Sequence, residues 1–83
     1  MDKIYDIFDQ ISLLTDKQYE KNGWSSAPSD EYAYRCAVLE MADMIRELGL
    51  IADLSNDEID SLIRILDDNN FHLEAKAVEH LAK

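Results

Sequence analysis

Residues 54–68 read Leu-Ser-Asn-Asp-Glu-Ile-Asp-Ser-Leu-Ile-Arg-Ile-Leu-Asp-Asp. Ser55 with Glu58 three residues on is the pattern of a capping box, in which each side chain satisfies a backbone N–H of the other's end. Leu54 and Ile59 stand at the two positions of a hydrophobic staple. Ile59, Leu62, Ile63 and Leu66 then recur at spacings of three and four, the period of a helix with one apolar stripe. The stretch predicts a helix over 56–67. Its single stripe has to be covered by other elements, so the flanking sequence is read for partners of the same kind.

Downstream, Asp67-Asp68-Asn69-Asn70 breaks the pattern. A last helix is expected over 71–82, capped by Asn69 or Asn70. Phe71, Ala75, Val78 and Ala82 share a face with Leu81 beside it, and Ala75, Ala77 and Ala82 permit close approach to a neighbour. With so short a connection the two helices form an antiparallel hairpin. The pair resembles a single tetratricopeptide unit, but a solenoid needs about three repeats and the chain has no internal repeat.

Upstream, Gly49–Leu54 is a mostly apolar connector whose Leu50 and Ile51 are expected to fold back onto the core. A second helix is expected over 30–48, with Ser29 as its cap and Asp30 and Glu31 in the first turn. Tyr34, Ala37, Val38, Met41, Met44, Ile45 and Leu48 form one broad apolar face, which suits the helix that packs against most of the others. Gly49 ends it. Residues 22–29, Asn-Gly-Trp-Ser-Ser-Ala-Pro-Ser, are a loop with the only tryptophan and the only proline. A first helix is expected over 2–21, with Asp2 at its cap and Ile4, Ile7, Phe8, Ile11 and Leu14 on its inner face. The expected architecture is all-α: a compact four-helix bundle-like arrangement forming a single helical domain over 1–83.

Composition bounds the function. The 83 residues carry 18 Asp and Glu against 8 Lys and Arg, a formal net charge of -10, and 47% are hydrophobic. That apolar share excludes a disordered acidic tail. The charge opposes direct binding to nucleic acid and to anionic membrane surfaces, and favours a basic protein partner. The lone Cys36 has no internal disulfide partner, and the start Met1-Asp2-Lys3-Ile4 lacks the form of a signal peptide, so a cytoplasmic protein is expected.

No residue set points to catalysis. Cys36 reads as a small, partly buried filler on the second helix, and nothing in the spacing brings it to a base. His72 and His80 lie eight residues apart on one helix, about 12 Å along its axis, too far to share a metal; both read as exposed. The calcium-loop pattern fails from Asp53, where the sixth residue is Glu58 and the twelfth Arg64, and from Asp67, where they are His72 and Val78. There is no phosphate loop and no nucleophile elbow, and four short helices offer little cleft. No enzyme activity, cofactor or metal is expected.

The acids are the informative feature. Asp2, Asp9, Asp16 and Glu20 fall in a narrow arc opposite the apolar stripe of the first helix, with Asp6 beside them. Asp53, Asp57, Glu58, Asp60, Asp67 and Asp68 surround the third helix with Arg64 alone against them. Carboxylates three and four residues apart on a helix sit about 5–6 Å from one another, comparable to phosphates along a nucleic-acid strand. A solvated, solubilising surface is the other reading of the same acids. On the second helix Tyr32, Cys36 and Leu39 lie away from the main apolar face. They make either a second packing face or an exposed strip for a partner or a second copy. Trp24, with Tyr19 near it, either anchors a partner or closes over the core.

Ser29-Asp30-Glu31-Tyr32-Ala33-Tyr34 resembles the acidic two-tyrosine segment of the immunity proteins of nuclease bacteriocins, to which the chain is also similar in size, acidity and helix count. Here Ala33 separates the tyrosines and no proline follows, so no residue role is carried over. The same gross features are similar to phage-encoded inhibitors of restriction and CRISPR nucleases. The function expected is a small acidic helical inhibitor that blocks the DNA or RNA site of a basic, nucleic-acid-handling protein. The residues expected to touch the partner are Asp2, Asp9, Asp16, Glu20, Asp57, Asp60, Asp67, Asp68, Trp24, Tyr32 and Leu39. The alternative is a helical adaptor or regulatory subunit that works through a homodimer or a partner helix.

Overall fold

Four helices follow one another in a computed structural model that describes residues 2–82: α1 (Asp2–Asn22), α2 (Glu31–Glu47), α3 (Asn56–Asp68) and α4 (His72–Ala82). For Asp2 the backbone alone is described, so the cap and acid-row roles read for its side chain lie outside the described residues. Among the described residues there is no strand. The fold is the all-α, four-helix arrangement expected, with each boundary within about one residue of its sequence-based position.

Each end has a local cause. At α3 the Ser55 hydroxyl accepts from the Glu58 N–H at 3.2 Å, and the Glu58 carboxylate accepts from the Ser55 N–H at 2.9 Å. The capping box read from the sequence is therefore closed in both directions. α1 and α2 run out into Gly23 (φ 68°) and Gly49 (φ 62°), left-handed positions where glycine carries no Cβ penalty.

Two caps differ from expectation. The N-cap of α2 is Asp30, whose carboxylate accepts from the Ala33 N–H at 3.0 Å, and not Ser29. Helical conformation begins one residue later than the apolar pattern implied, and an Asp cap serves as well as a Ser. Neither Asn69 nor Asn70 caps α4. Asn69 ends α3, its side-chain amide donating to the Ile65 carbonyl at 2.8 Å, and Asn70 takes the left-handed conformation (φ 68°). The Phe71 carbonyl then accepts the first helical bond of α4, from Ala75 at 2.9 Å. The two asparagines are used to stop one helix, which leaves Phe71 to start the next.

α2 packs on α4 and α1, and α3 packs on α4 and α1. The core is Ile4, Ile7, Ile11 and Leu14 of α1, Ala37, Met41, Ala42 and Ile45 of α2, Leu62 and Leu66 of α3, and Leu73, Ala75, Ala77 and Val78 of α4. Leu50, Ile51, Leu54 and Ile59 are half-buried against it, as the connector and the staple require. The helix buried over the widest arc is α4, not α2: Leu73, Glu74, Ala75, Ala77 and Val78 are all buried within its 11 residues. Ala82, grouped with the packing face in the sequence, is exposed. The radius of gyration is 12.0 Å, about the value for a compact globule of this length. No described helix is long and apolar enough to cross a membrane.

Candidate protein-binding surface

α1 buries Ile4, Ile7, Ile11, Leu14, Thr15 and Gln18, and this inner arc fixes what the opposite arc presents. Asp6, Asp9, Asp16 and Glu20 are exposed there. On α3 and its ends Asp57, Asp60, Asp67 and Asp68 are exposed. Ion pairs among the described residues join Lys3 to Glu58 at 3.2 Å, Lys21 to Glu40 at 2.9 Å, Arg46 to Asp43 at 2.6 Å, and His72 to Asp67 at 2.9 Å. Asp9, Asp16, Glu20, Asp57, Asp60 and Asp68 take part in none of them. Of the α1 lysines, Lys3 reaches α3 and Lys21 reaches α2, while Lys17, exposed beside the row and three residues before Glu20, is in none of these pairs.

One member of this surface was missed in the sequence. Leu13 is 62% exposed and stands four residues after Asp9 and three before Asp16. Neighbours at those spacings share a helix face, so Leu13 is an apolar knob inside the acidic row. The signal was present, since Leu13 falls off the Ile4/Ile7/Ile11 stripe, but it was overshadowed by Leu14 beside it. α1 and α3 are neighbours, and an open groove of about 360 Å³ between them is lined by Ile4, Tyr5, Asp57, Glu58, Ser61, Arg64 and Ile65. Tyr5, 53% exposed, is an aromatic on this side.

The strip on α2 is open. Tyr32 is 75% and Leu39 43% exposed. Cys36 is exposed as well, which corrects its reading as a partly buried filler: it points out along with Tyr32 and Leu39, away from Ala37 and Met41. Trp24 takes the other of its two expected placements. It is half-buried against the core and stands edge-on to Tyr19, centroids 5.7 Å apart at 80°. His72 and His80 are exposed.

Polar groups the sequence did not flag tie the bundle together. Gln18 of α1, fully buried, donates to the Ala37 carbonyl at 3.0 Å and to Glu40 at 2.9 Å on α2. Glu40 also accepts from Lys21 and, at 3.1 Å, from Asn22. The Gln18 bond, then the Lys21 bond, hold the Glu40 carboxyl below the usual carboxylate range, and the Glu40 bond holds Lys21 above its own. The Ser55 N–H, then Lys3, likewise lower Glu58.

A buried carboxyl lies where α1, α2 and α4 meet. Glu74 is 4% exposed, and the Thr15 hydroxyl, itself buried, donates to its Oε2 at 2.6 Å. Both line an open cleft of about 310 Å³ with Tyr19, Tyr34, Phe71, Leu73 and His72. Burial, then the Glu74 and Asp67 carboxylates, raise the Tyr34 phenol above its ordinary pKa. The clefts the short helices leave are open and small, about 310 to 360 Å³. Comparison with protein-family models, with curated proteins and with solved structures gave no match.

Proposed function

We propose that the protein is a small acidic inhibitor that binds a basic, nucleic-acid-handling protein and occupies its DNA or RNA site. The observation that carries this reading is the α1 row: Asp9, Asp16 and Glu20, exposed and without ion-pair partners among the described residues, with Leu13 among them. Like charges at i, i+4, as in Asp16 and Glu20, destabilise a helix by a few tenths of a kcal/mol, so that pair does not favour the helix. A basic groove gains from the row in two ways. The acids steer the encounter and fix register, while an apolar side chain among them supplies area that leaves water on binding. The forms this reading takes are an inhibitor of restriction or CRISPR nucleases and an immunity protein for a nuclease toxin, both acting in the cytoplasm. No cofactor, metal or catalytic group enters it.

The test is capture from host lysate by the tagged protein, compared with the Asp9→Lys/Asp16→Lys/Glu20→Lys variant. The native chain should retain a nucleic-acid-binding protein that added duplex DNA or RNA displaces and that 0.5 M salt releases. The variant should not retain it. Retention of the same partner by both chains removes the α1 row from the interface. A second reading rests on the exposed Tyr32, Cys36 and Leu39: an adaptor that pairs with a second copy or with a partner helix through α2. Sedimentation separates the two readings, since this one requires a dimer or a partner complex that Leu39→Asp dissociates.

A further inference from the structure

We propose that the cleft between α1, α2 and α4 is a binding site for an alkylammonium ion, with Glu74 as its counter-charge. The proposal concerns a different surface from the α1 row and does not depend on that reading. Glu74 is 4% exposed, and among the described residues no lysine, arginine or histidine forms an ion pair with it. A carboxylate withdrawn from water calls for a cation and for hydrogen bonds. This one has a single hydrogen bond, from Thr15 to Oε2. Its Oε1 is not sealed away, since the one enclosed and unpartnered side-chain oxygen among the described residues is that of Gln18. A nearly buried carboxylate with one oxygen that has no hydrogen-bond partner, on the wall of a cleft, is suited to receive a cation.

The lining selects the ligand. Tyr19, Tyr34 and Phe71 are half-buried and line the cleft together with Leu73 and His72, and aromatic rings suit an alkyl stem and the positive charge of an ammonium group. Oε2 already accepts from Thr15 and keeps one lone pair, whereas Oε1 has both free, so a cation is received mainly at Oε1. A guanidinium prefers a carboxylate that accepts through both oxygens, whereas an ammonium is a point charge satisfied by one. A lone carboxylate is also too poor a donor set for a divalent metal. The cleft, about 310 Å³, is at the small end for ligand pockets, which fits a chain of a few carbons. Such a cation comes either as the lysine side chain of a protein or as a free aliphatic amine.

Titration of the whole, 15N-labelled protein at 0.15 M salt tests this. n-Butylammonium should give saturable shifts at Thr15, Tyr34, His72 and Glu74 with a roughly millimolar Kd, as a ligand of so few atoms allows. n-Butanol and methylguanidinium should bind at least tenfold more weakly. Nα-acetyl-lysine methylamide and putrescine then distinguish the two sources, the tighter of them naming the natural one. Glu74→Gln, nearly the same shape, should weaken n-butylammonium at least tenfold; Tyr34→Leu, which removes a wall, should weaken it severalfold. Equal binding of butanol, unchanged binding to Glu74→Gln, or shifts confined to Asp9, Asp16 and Glu20 would each overturn the proposal. The butanol comparison uses the native chain, so a variant that failed to fold would not shield it.

Discussion

Gln18 shows what a single residue contributes beyond packing. It is fully buried, its amide N–H groups bridge α1 to the Ala37 carbonyl and to Glu40, and its own Oε1 has no partner. Replacing it with leucine keeps bulk and removes the unsatisfied oxygen, but it takes a donor from Ala37 and Glu40, so a modest loss of stability accompanies the change in the chemistry of Glu40. The Glu40 carboxyl, held low first by Gln18, should titrate closer to the ordinary range in Gln18→Leu, which a side-chain carboxyl NMR titration reads directly. The sign for stability follows from the same depression. A carboxyl whose pKa is lowered by folding adds stability above its unfolded pKa, about 4.3 for Glu, and loses it as pH falls through the lower folded value. Glu40 and Glu58 both behave this way, so the native chain should lose stability below about pH 4.3, and Gln18→Leu should show a shallower acid limb in urea denaturation. At the start of α3, Ser55→Ala removes the acceptor for the Glu58 N–H and should cost about 1 kcal/mol. An unchanged urea midpoint would mean that the capping box is not holding that end.

At the scale of the element, α4 is where the structure departs most from what its sequence suggested. Its 11 residues bury Leu73, Glu74, Ala75, Ala77 and Val78, an arc wider than one apolar stripe. Helical periodicity finds a stripe, and it found α3 completely, because Leu62 and Leu66 lie on one line and the capping box marks the start. It is blind to a helix enclosed on two sides, where small residues and one buried carboxyl count as interior. Hence Ala77 was read correctly as a close-approach position, while Ala82 was wrongly grouped with it and Glu74 was passed over. The contrast is testable. Ala77→Leu inserts volume where the side chain is 0% exposed and should cost about 1–3 kcal/mol, whereas Ala82→Leu should change the urea midpoint hardly at all. Equal effects would place α4 differently. On the binding side, the acid row was legible because charge and spacing are printed in the sequence. The Glu74 cleft was not, since Thr15, Tyr34 and Glu74 are brought together only by packing between α1, α2 and α4.

At the scale of the whole molecule the charge of -10 acts on the fold and on any partner in opposite senses. Within the protein, the excess of acids is a self-repulsion that works against the compact state. Added salt screens it, the Debye length falling from about 30 Å at 0.01 M to about 8 Å at 0.15 M. The melting temperature of the isolated chain should therefore rise with sodium chloride over that range. Replacing Asp9, Asp16 and Glu20 by lysine removes much of the excess and makes new opposite-charge neighbours with the remaining acids. The triple variant should accordingly be at least as stable as the native chain at low salt and respond less to salt. A binding surface read from these residues demands the reverse for association: affinity for a basic partner should fall with salt and collapse in the variant. The two measurements together separate the roles. If the variant melts lower than the native chain, the α1 acids serve the fold through contacts the structure does not show. If it melts as high or higher and still binds the partner, the acids only keep the protein in solution. Stability retained or raised with binding lost is the outcome that assigns the row to recognition.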